Sequence, residues 1–139
     1  MKTIKVTLAL LMLALAMTIG GCAKDSATTP SDPGTTRDSF IGRWSVTENY
    51  TKFAYEVTIS ADPGSANGVL IAGFGNTLPT GPAAGAVVSG SKITLDANLQ
   101  IDGLKFVGSG TLSGTKINWN YTVDDGANLL HSIAVYTKK

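Results

Sequence analysis

Residues 117–123 read INWNYTV, and they decide the fold because a large apolar side chain occupies every second position. Ile117, Trp119, Tyr121 and Val123 alternate with asparagine and threonine. Successive side chains of a β-strand point to opposite faces of the sheet, so a period of two places all four on one face. The stretch therefore predicts a strand with one buried face and one solvent-facing side.

The same alternation recurs along the chain on both sides of this stretch. In residues 53–60, Phe53 and Tyr55 begin an apolar set that predicts an inward-facing side. Asp102-Gly103 is typical of a two-residue hairpin turn, and short connections of this kind favour antiparallel pairing of sequential strands. We predict strands over residues 43–51, 53–60, 68–74, 84–89, 92–99, 104–112, 115–123 and 129–137.

Eight strands with one apolar face must cover that face. They do so either by closing into a barrel or by folding into two packed sheets, and closure also removes exposed strand edges. We predict an all-β fold, an antiparallel eight-stranded up-and-down meander barrel, with a β-sandwich as the alternative. The interior of such a barrel holds packed side chains or one small ligand.

The first part of the chain has the composition of an export signal. Lys2 and Lys5 precede an apolar run over residues 6–19, which is too short to span a bilayer as a helix. Residues 23–39 contain no large apolar side chain and are rich in Ser, Thr, Asp and Pro, which predicts a flexible tether. We predict a signal peptide over residues 1–21, a tether over 22–39 and a barrel domain over 40–139.

Residues 19–22, IGGC, resemble the bacterial lipobox, and Cys22 is the only cysteine of the chain. The resemblance implies cleavage before Cys22 and a diacylglyceryl group on its sulfur, carrying fatty acyl chains such as palmitate. The membrane is then a partner through this anchor. Ala23 in place of an aspartate points to the outer membrane, and the choice between its periplasmic and cell-surface sides stays open.

The charge balance excludes some partners. Cleavage before Cys22 removes two of the 11 basic residues and leaves nine positive against ten negative charges. Nucleic-acid binders need a basic face that neutralises phosphates, so no nucleic-acid partner is expected. With its one thiol used by lipid, the domain has no disulfide and depends on a single packed core. The oligomeric state does not follow from the sequence.

The start of the predicted domain carries a second resemblance. Residues 42–44, GRW, resemble the Gly-x-Trp signature at the start of lipocalin and calycin barrels. The chain as a whole is similar to lipocalin-like lipoproteins of Bacteroidota. The resemblance implies that Gly42 and Trp44 form a structural plug at one barrel end. Lipocalins commonly pack an arginine across this tryptophan, but here no arginine follows Arg43, and Lys138 is the nearest cation.

The chain has few residues for catalysis or metal binding. His131 is its only histidine, and the neighbours of His131 predict an ordinary last strand. A histidine pair or cysteine cluster is missing from the sequence, so we expect neither catalytic residues nor a cofactor nor a metal site. The oxygen-rich residues 62–68 and 124–128 are explained by turn chemistry, because their spacing does not match a calcium loop.

Several inward-facing side chains are candidates for ligand binding. Glu48 shares strand parity with Trp44, and a carboxylate on the inner face either orients a ligand or lies in water at the rim. The aromatic candidates either line a pocket or serve as core. The loop over residues 75–85 is a candidate cover for the barrel mouth. The predicted ligand-binding residues are Glu48, Tyr55, Phe74, Phe106, Trp119 and Tyr121.

Two functions are compatible with this pattern. The first is a non-enzymatic cell-envelope lipoprotein whose lipocalin-like barrel binds a small apolar ligand. The alternative is a protein-interaction or inhibitor module with a filled barrel. An open apolar cavity favours the first function, and a solid core with an exposed apolar patch favours the second.

Overall fold

The computed structural model describes residues 37–139, so the predicted signal peptide, Cys22 and most of the tether lie outside the described residues. No helix in this part of the chain is long and apolar enough to cross a membrane. A short 3-10 turn covers Phe74–Asn76. The other elements are α1 (Arg37–Phe40), β1 (Gly42–Glu48), β2 (Ala54–Ala61), β3 (Gly68–Ala72), β4 (Ala84–Ser89), β5 (Lys92–Leu95), β6 (Gln100–Ile101), β7 (Leu104–Ser113), β8 (Lys116–Asp124) and β9 (Leu129–Lys138).

The strands form one antiparallel sheet that closes on itself. Their order is β5-β4-β3-β2-β1-β9-β8-β7-β6, and a further pairing of β5 with β7 completes the ring. Strand β6 pairs only with the start of β7, so eight strands make the barrel and one lies beside it. The predicted eight-stranded up-and-down barrel is confirmed, and the sandwich alternative is wrong.

Three strands end earlier than the alternation predicts. Strand β1 stops at Glu48 rather than at residue 51, β3 at Ala72 rather than at 74, and β5 at Leu95 rather than at 99. After β5, the Leu99 amide donates to the Asp96 carbonyl, and Asn98 has a φ of 62°, so a turn replaces the strand. The predicted Asp102-Gly103 hairpin turn is present, with φ values of 53° and 80°.

The predicted inward position of Phe53 is wrong. Its side chain is 71% exposed, because β2 begins only at the next residue, Ala54. A residue in the preceding turn does not follow the two-residue period of the strand. From Tyr55 onward the period holds, and Val57 and Ile59 are buried as predicted.

The barrel interior accommodates two large side chains of β8 because β7 is small where it faces them. Gly108 pairs with Tyr121, and Gly110 pairs with Trp119. A Cβ atom on Gly108 would lie 2.3 Å from the Cβ of Tyr121, and one on Gly110 would lie 2.8 Å from the Trp119 ring. Ala134 of β9 faces Trp119 from the other side. The two rings therefore lie inside the barrel within a single buried apolar cluster.

Trp44 lies buried near the barrel end at which β1 begins, which we call the Trp44 end. Its indole N–H donates to the Phe40 carbonyl at 2.8 Å, which ties α1 to the barrel. The ammonium of Lys138 lies 5.4 Å from the centroid of the Trp44 ring and also donates to the Ser39 carbonyl at 2.9 Å. Lys138 thus takes the position over the tryptophan ring that an arginine commonly occupies in lipocalins.

This packing generates a prediction for Trp44. Trp44→Ala removes a fully buried ring and an indole hydrogen bond, so we expect a loss of about 3–5 kcal/mol in the free energy of unfolding. Urea unfolding followed by circular dichroism measures this loss. Phe53→Ala is the matched control, because a mostly exposed side chain should cost no more than about 0.5 kcal/mol. A Trp44→Ala variant as stable as the control would contradict the plug role.

Candidate ligand-binding site

Four neighbouring strands bring a set of polar side chains together inside the barrel. The strands β2, β1, β9 and β8 are adjacent in the sheet. Val46 pairs with Tyr55 on one side and with Tyr136 on the other, and Glu48 lies two residues further along β1. Tyr121 comes from β8. We call Glu48, Tyr55, Tyr121 and Tyr136 the polar cluster, and the barrel end at which β1 stops the Glu48 end.

Glu48 is buried in this cluster with only 5% of its surface exposed. The Tyr121 hydroxyl donates a short hydrogen bond to its Oε2 atom. The alternative in which Glu48 lies in water at the rim is therefore wrong. Ser132 is also buried and pairs with Tyr121 across β8 and β9, and its hydroxyl donates to the Asn49 side-chain oxygen at 3.3 Å.

Four buried polar atoms in and beside the cluster have no hydrogen-bond partner among the described residues. They are Oε1 of Glu48, the hydroxyls of Tyr55 and Tyr136, and the indole nitrogen of Trp119. A buried polar group without a partner costs about 1–3 kcal/mol, and most native proteins contain few such groups. Tyr55 lies beside both Glu48 and Tyr136, so these groups form a polar network whose hydrogen bonds are incomplete within the described residues, and they mark a candidate binding site.

The tyrosine hydroxyls of the cluster are held in their neutral form. Burial raises the pKa of Tyr55, and the charges of Tyr136, Tyr121 and Glu48 raise it further. Burial is also the main cause of the raised pKa of Tyr121, followed by its hydrogen bond to Glu48. Burial is likewise the main cause of the raised pKa of the fully buried Tyr136, followed by the charges of Tyr121 and Glu48. All three phenols are therefore available as neutral donors or acceptors.

An aromatic ring from outside the strands fills the space next to the cluster. The Phe74 ring centroid lies 5.1 Å from that of Tyr121 and 5.3 Å from that of Trp119. It also lies 5.4 Å from the Phe106 centroid in an edge-to-face arrangement and 6.5 Å from the Tyr136 centroid. Phe74 thus touches aromatic rings on three strands, as a bound aromatic ligand would.

Phe74 belongs to a short turn, residues 73–76, that leads out of β3. Gly73 and Gly75 have φ values of 82° and 62°, which favour glycine, and Asn76 has 60°. The backbone and the side-chain hydroxyl of Thr77 both donate to the Phe74 carbonyl. A Cβ atom on Gly75 would lie 2.8 Å from the Phe106 ring, so the backbone itself packs onto the aromatic group. The turn holds the ring in place without a strand ladder.

The structure brings the predicted site residues together. Glu48, Phe74, Phe106, Trp119 and Tyr121 are buried, and Tyr55 is partly buried against the same core. Their role in ligand binding stays a prediction. Two members were missed in the sequence, Ser132 and Tyr136, although the period of two within β9 places both on the inner side with Ala134. The predicted mouth loop over residues 75–85 begins at this end, and Leu78 within it is exposed.

Other features of the described residues lie outside the polar cluster. His131 is exposed on β9, and no group of three metal-ligating side chains occurs within residues 37–139. Asp62 and Asp125 accept hydrogen bonds from backbone amides two residues further along the chain, as turn residues do. An open groove of about 450 Å³ lies at the Trp44 end, opposite the polar cluster, and is lined by Arg37, Asp38, Ala66, Asn67, Val88, Ser89 and Gly90.

The raised tyrosine pKa values predict a loss of stability at high pH. An unfolded tyrosine loses its proton near pH 10, whereas Tyr55, Tyr121 and Tyr136 keep theirs in the folded state. The folded state then holds more protons, so the free energy of unfolding falls by about 1.4 kcal/mol per pH unit for each residue above about pH 10. Urea unfolding at a series of pH values measures the slope.

Tyr136→Phe is the control for this slope, since it removes one of the three groups and leaves the ring. The slope of the variant should be shallower than that of the wild type by about 1.4 kcal/mol per pH unit. Equal slopes in the two proteins would show that Tyr136 ionises normally while folded.

Comparison of the sequence with known proteins does not assign the chain to a family. Neither a scan against models of protein families nor a search of the curated proteins found a match to the chain. The lipocalin resemblance of residues 42–44 therefore stays a prediction, supported in its architecture by the closed barrel. The site itself, with its carboxylate, its phenols and the inserted Phe74 ring, carries the functional conclusion.

Proposed function

We propose that this chain is a non-enzymatic lipoprotein of the cell envelope whose barrel binds one small ligand at its Glu48 end. The observation that carries the proposal is the set of buried polar atoms with unmet hydrogen-bonding capacity, surrounded by aromatic rings. A small molecule with a polar group and an apolar body can bond the polar atoms and pack against the aromatic rings. Sites of this kind combine mostly apolar walls with a few polar groups that orient the ligand.

The ligand takes the place of the Phe74 ring. The interior is closely packed around Phe74, whose neighbours Phe106, Trp119, Tyr121 and Tyr136 are held by strands. Phe74 itself is held by one turn and two hydrogen bonds to Thr77, so it moves at a lower cost than they do. A ligand of about the size of an aromatic ring then occupies the vacated space.

The absence of an enzymatic role rests on the chemistry of the side chains. The only histidine is exposed on the outer face of β9, far along the strand from Tyr136. The polar cluster, Ser132 and Trp119 supply one carboxylate, one serine hydroxyl, neutral phenols and an indole N–H, and the Glu48 carboxylate accepts the hydrogen bond of the Tyr121 phenol. These groups are suited to hydrogen bonding a ligand rather than to transforming it.

The envelope location rests on the sequence before the barrel. Residues 19–22 form the lipobox-like motif, and a chain acylated at Cys22 carries more than one acyl chain. Stable anchoring needs at least two such membrane signals, which lipoprotein acylation supplies. Ala23 favours the outer membrane as the destination, with the barrel held on one of its two faces by the tether over residues 22–39.

A second function is favoured by a different observation. Phe53, Leu78 and Leu129 are 71%, 71% and 63% exposed, and all three lie at the Glu48 end. Phe53 precedes β2, Leu78 lies in the loop before β4, and Leu129 begins β9. Exposed apolar groups collected at one end are typical of protein-interaction sites. In that case the barrel is a filled scaffold, and these three exposed side chains contact a partner protein.

The anchoring part of the proposal predicts the behaviour of Cys22→Ala. Without the sulfur the chain receives no diacylglyceryl group and is not cleaved at this site, so we expect it as unprocessed precursor or in the soluble fraction. Fractionation of cells with metabolic labelling by a fatty acid measures both properties. Ser26→Ala, in the tether, is the matched control and should be labelled and anchored as the wild type is. A labelled, processed Cys22→Ala protein would contradict lipidation at this residue.

The binding part predicts a retained ligand. Native mass spectrometry of the mature protein purified from its own envelope should show one added mass per chain, which is lost on unfolding. Phe74→Ala enlarges the space beside the polar cluster and should retain the ligand more strongly than the wild type. If both proteins carry no added mass, and a Phe53→Ser, Leu78→Ser double variant loses a copurifying partner, the filled-scaffold function replaces this one.

A further inference from the structure

The carboxylate of Glu48 is buried without a positive charge beside it. The ion pairs among residues 37–139 join Arg37 to Asp38 and Lys139 to Glu56, and neither involves Glu48. Its Oε2 atom accepts the Tyr121 hydrogen bond, and its Oε1 atom has no partner within the described part of the chain. A buried carboxylate is costly unless a cation or further donors compensate its charge. The nearby Tyr55 hydroxyl is neutral and does not compensate the charge, so Oε1 still lacks a positively charged donor.

The aromatic rings that pack in series from Tyr121 suit a cation as well. Tyr121, which bonds Glu48, packs against Phe74, and Phe74 in turn packs against Trp119 and Tyr136. The faces of such rings carry negative potential and attract ammonium groups within about 6 Å, at roughly 2 kcal/mol when the site is desolvated. Carboxylate and ring faces thus favour the same charge on the ligand.

The remaining unpartnered atoms favour an organic cation over a metal ion. The indole nitrogen of Trp119 carries a hydrogen and can only donate, so it needs an acceptor from the ligand. A bare metal ion offers none. The hydroxyls of Tyr55 and Tyr136 accept from or donate to a ligand as required. An amine that also carries an oxygen or a ring satisfies more of this set than a metal ion does.

We propose that the Glu48 end of the barrel binds the ammonium group of a small organic amine, with the amine on Glu48 Oε1 and its apolar body in the space of the Phe74 ring. This inference rests on the proposed ligand-binding function and names the class of its ligand. The phenol hydroxyls of Tyr55 and Tyr136 complete the hydrogen bonds around the amine. Phe74 serves as the internal occupant that the ligand displaces.

The test compares two probes of equal shape that differ in charge. 2-Phenylethylammonium carries a phenyl ring and an ammonium group, and 2-phenylethanol replaces the ammonium with a neutral hydroxyl. Both are titrated calorimetrically into the mature lipidated protein in nanodiscs, with potassium chloride at equal ionic strength as the inorganic cation. We expect the amine to bind at least about tenfold more tightly than the alcohol, the worth of a hydrogen bond to a charged group.

Glu48→Gln is the matched variant, because it removes the charge and keeps the size of the side chain. It should lose the preference for the amine and retain binding of the alcohol, with far-ultraviolet circular dichroism unchanged. Phe74→Leu, which shortens the internal occupant, should bind the amine more tightly than the wild type does. If Glu48→Gln does not fold, the comparison of the two probes on the wild type and on Phe74→Leu still tests whether the site prefers an amine.

The possible failures are distinguishable. Equal affinity of the wild type for the amine and the alcohol would overturn the amine inference and leave the ligand-binding function intact. Displacement of the amine by potassium at comparable affinity would assign the site to an inorganic cation and overturn it as well. If neither probe binds to the wild type or to Phe74→Leu, both the amine inference and the proposed ligand-binding function fail.

Discussion

The fold depends on a limit of space, because the interior of an eight-stranded barrel is hardly wider than the side chains that fill it. Trp119 and Tyr121 fit there because Gly110 and Gly108 face them from β7, where any Cβ atom would collide with them. Their position determines what lies around them. The Tyr121 hydroxyl bonds Glu48 on β1, two strands away in the sheet, and the Phe74 ring packs against both Trp119 and Tyr121. Small residues opposite large ones thus make both the core and the site possible.

Features set by neighbouring residues could be predicted from the sequence, whereas features set by distant residues could not. The alternation in residues 117–123 and the Asp102-Gly103 turn gave the strands and the meander, because both depend on local geometry. The bond between Tyr121 and Glu48 joins residues 73 apart, and no local pattern indicates such a contact. Phe74 was placed in a strand and lies in a turn, because its position depends on the rings that receive it. Tyr136 was missed although its strand was predicted, since its partners are on other strands.

The two ends of the barrel differ in how far their buried polar atoms find hydrogen-bond partners. At the Trp44 end the indole N–H has the Phe40 carbonyl as its partner, and Lys138 bonds Ser39 as it covers the ring. At the Glu48 end several polar atoms have no partner, which costs free energy that packing elsewhere must offset. Natural proteins accept such local conflicts mainly where function requires them. The contrast between the ends is therefore the structural reason for placing the site at Glu48.

The closure of the ring by β5 and β7 has a consequence for how the barrel opens. Only three residue pairs join these strands, Lys92 with Thr111, Ile93 with Gly110 and Thr94 with Ser109, whereas nine join β8 to β9. One of the three pairs includes a glycine, which offers no side chain to pack. Thermal fluctuations separate a short ladder at a lower cost than a long one. We therefore expect local opening of the barrel to occur at the pairing of β5 with β7, next to the Trp119 ring that packs over Gly110.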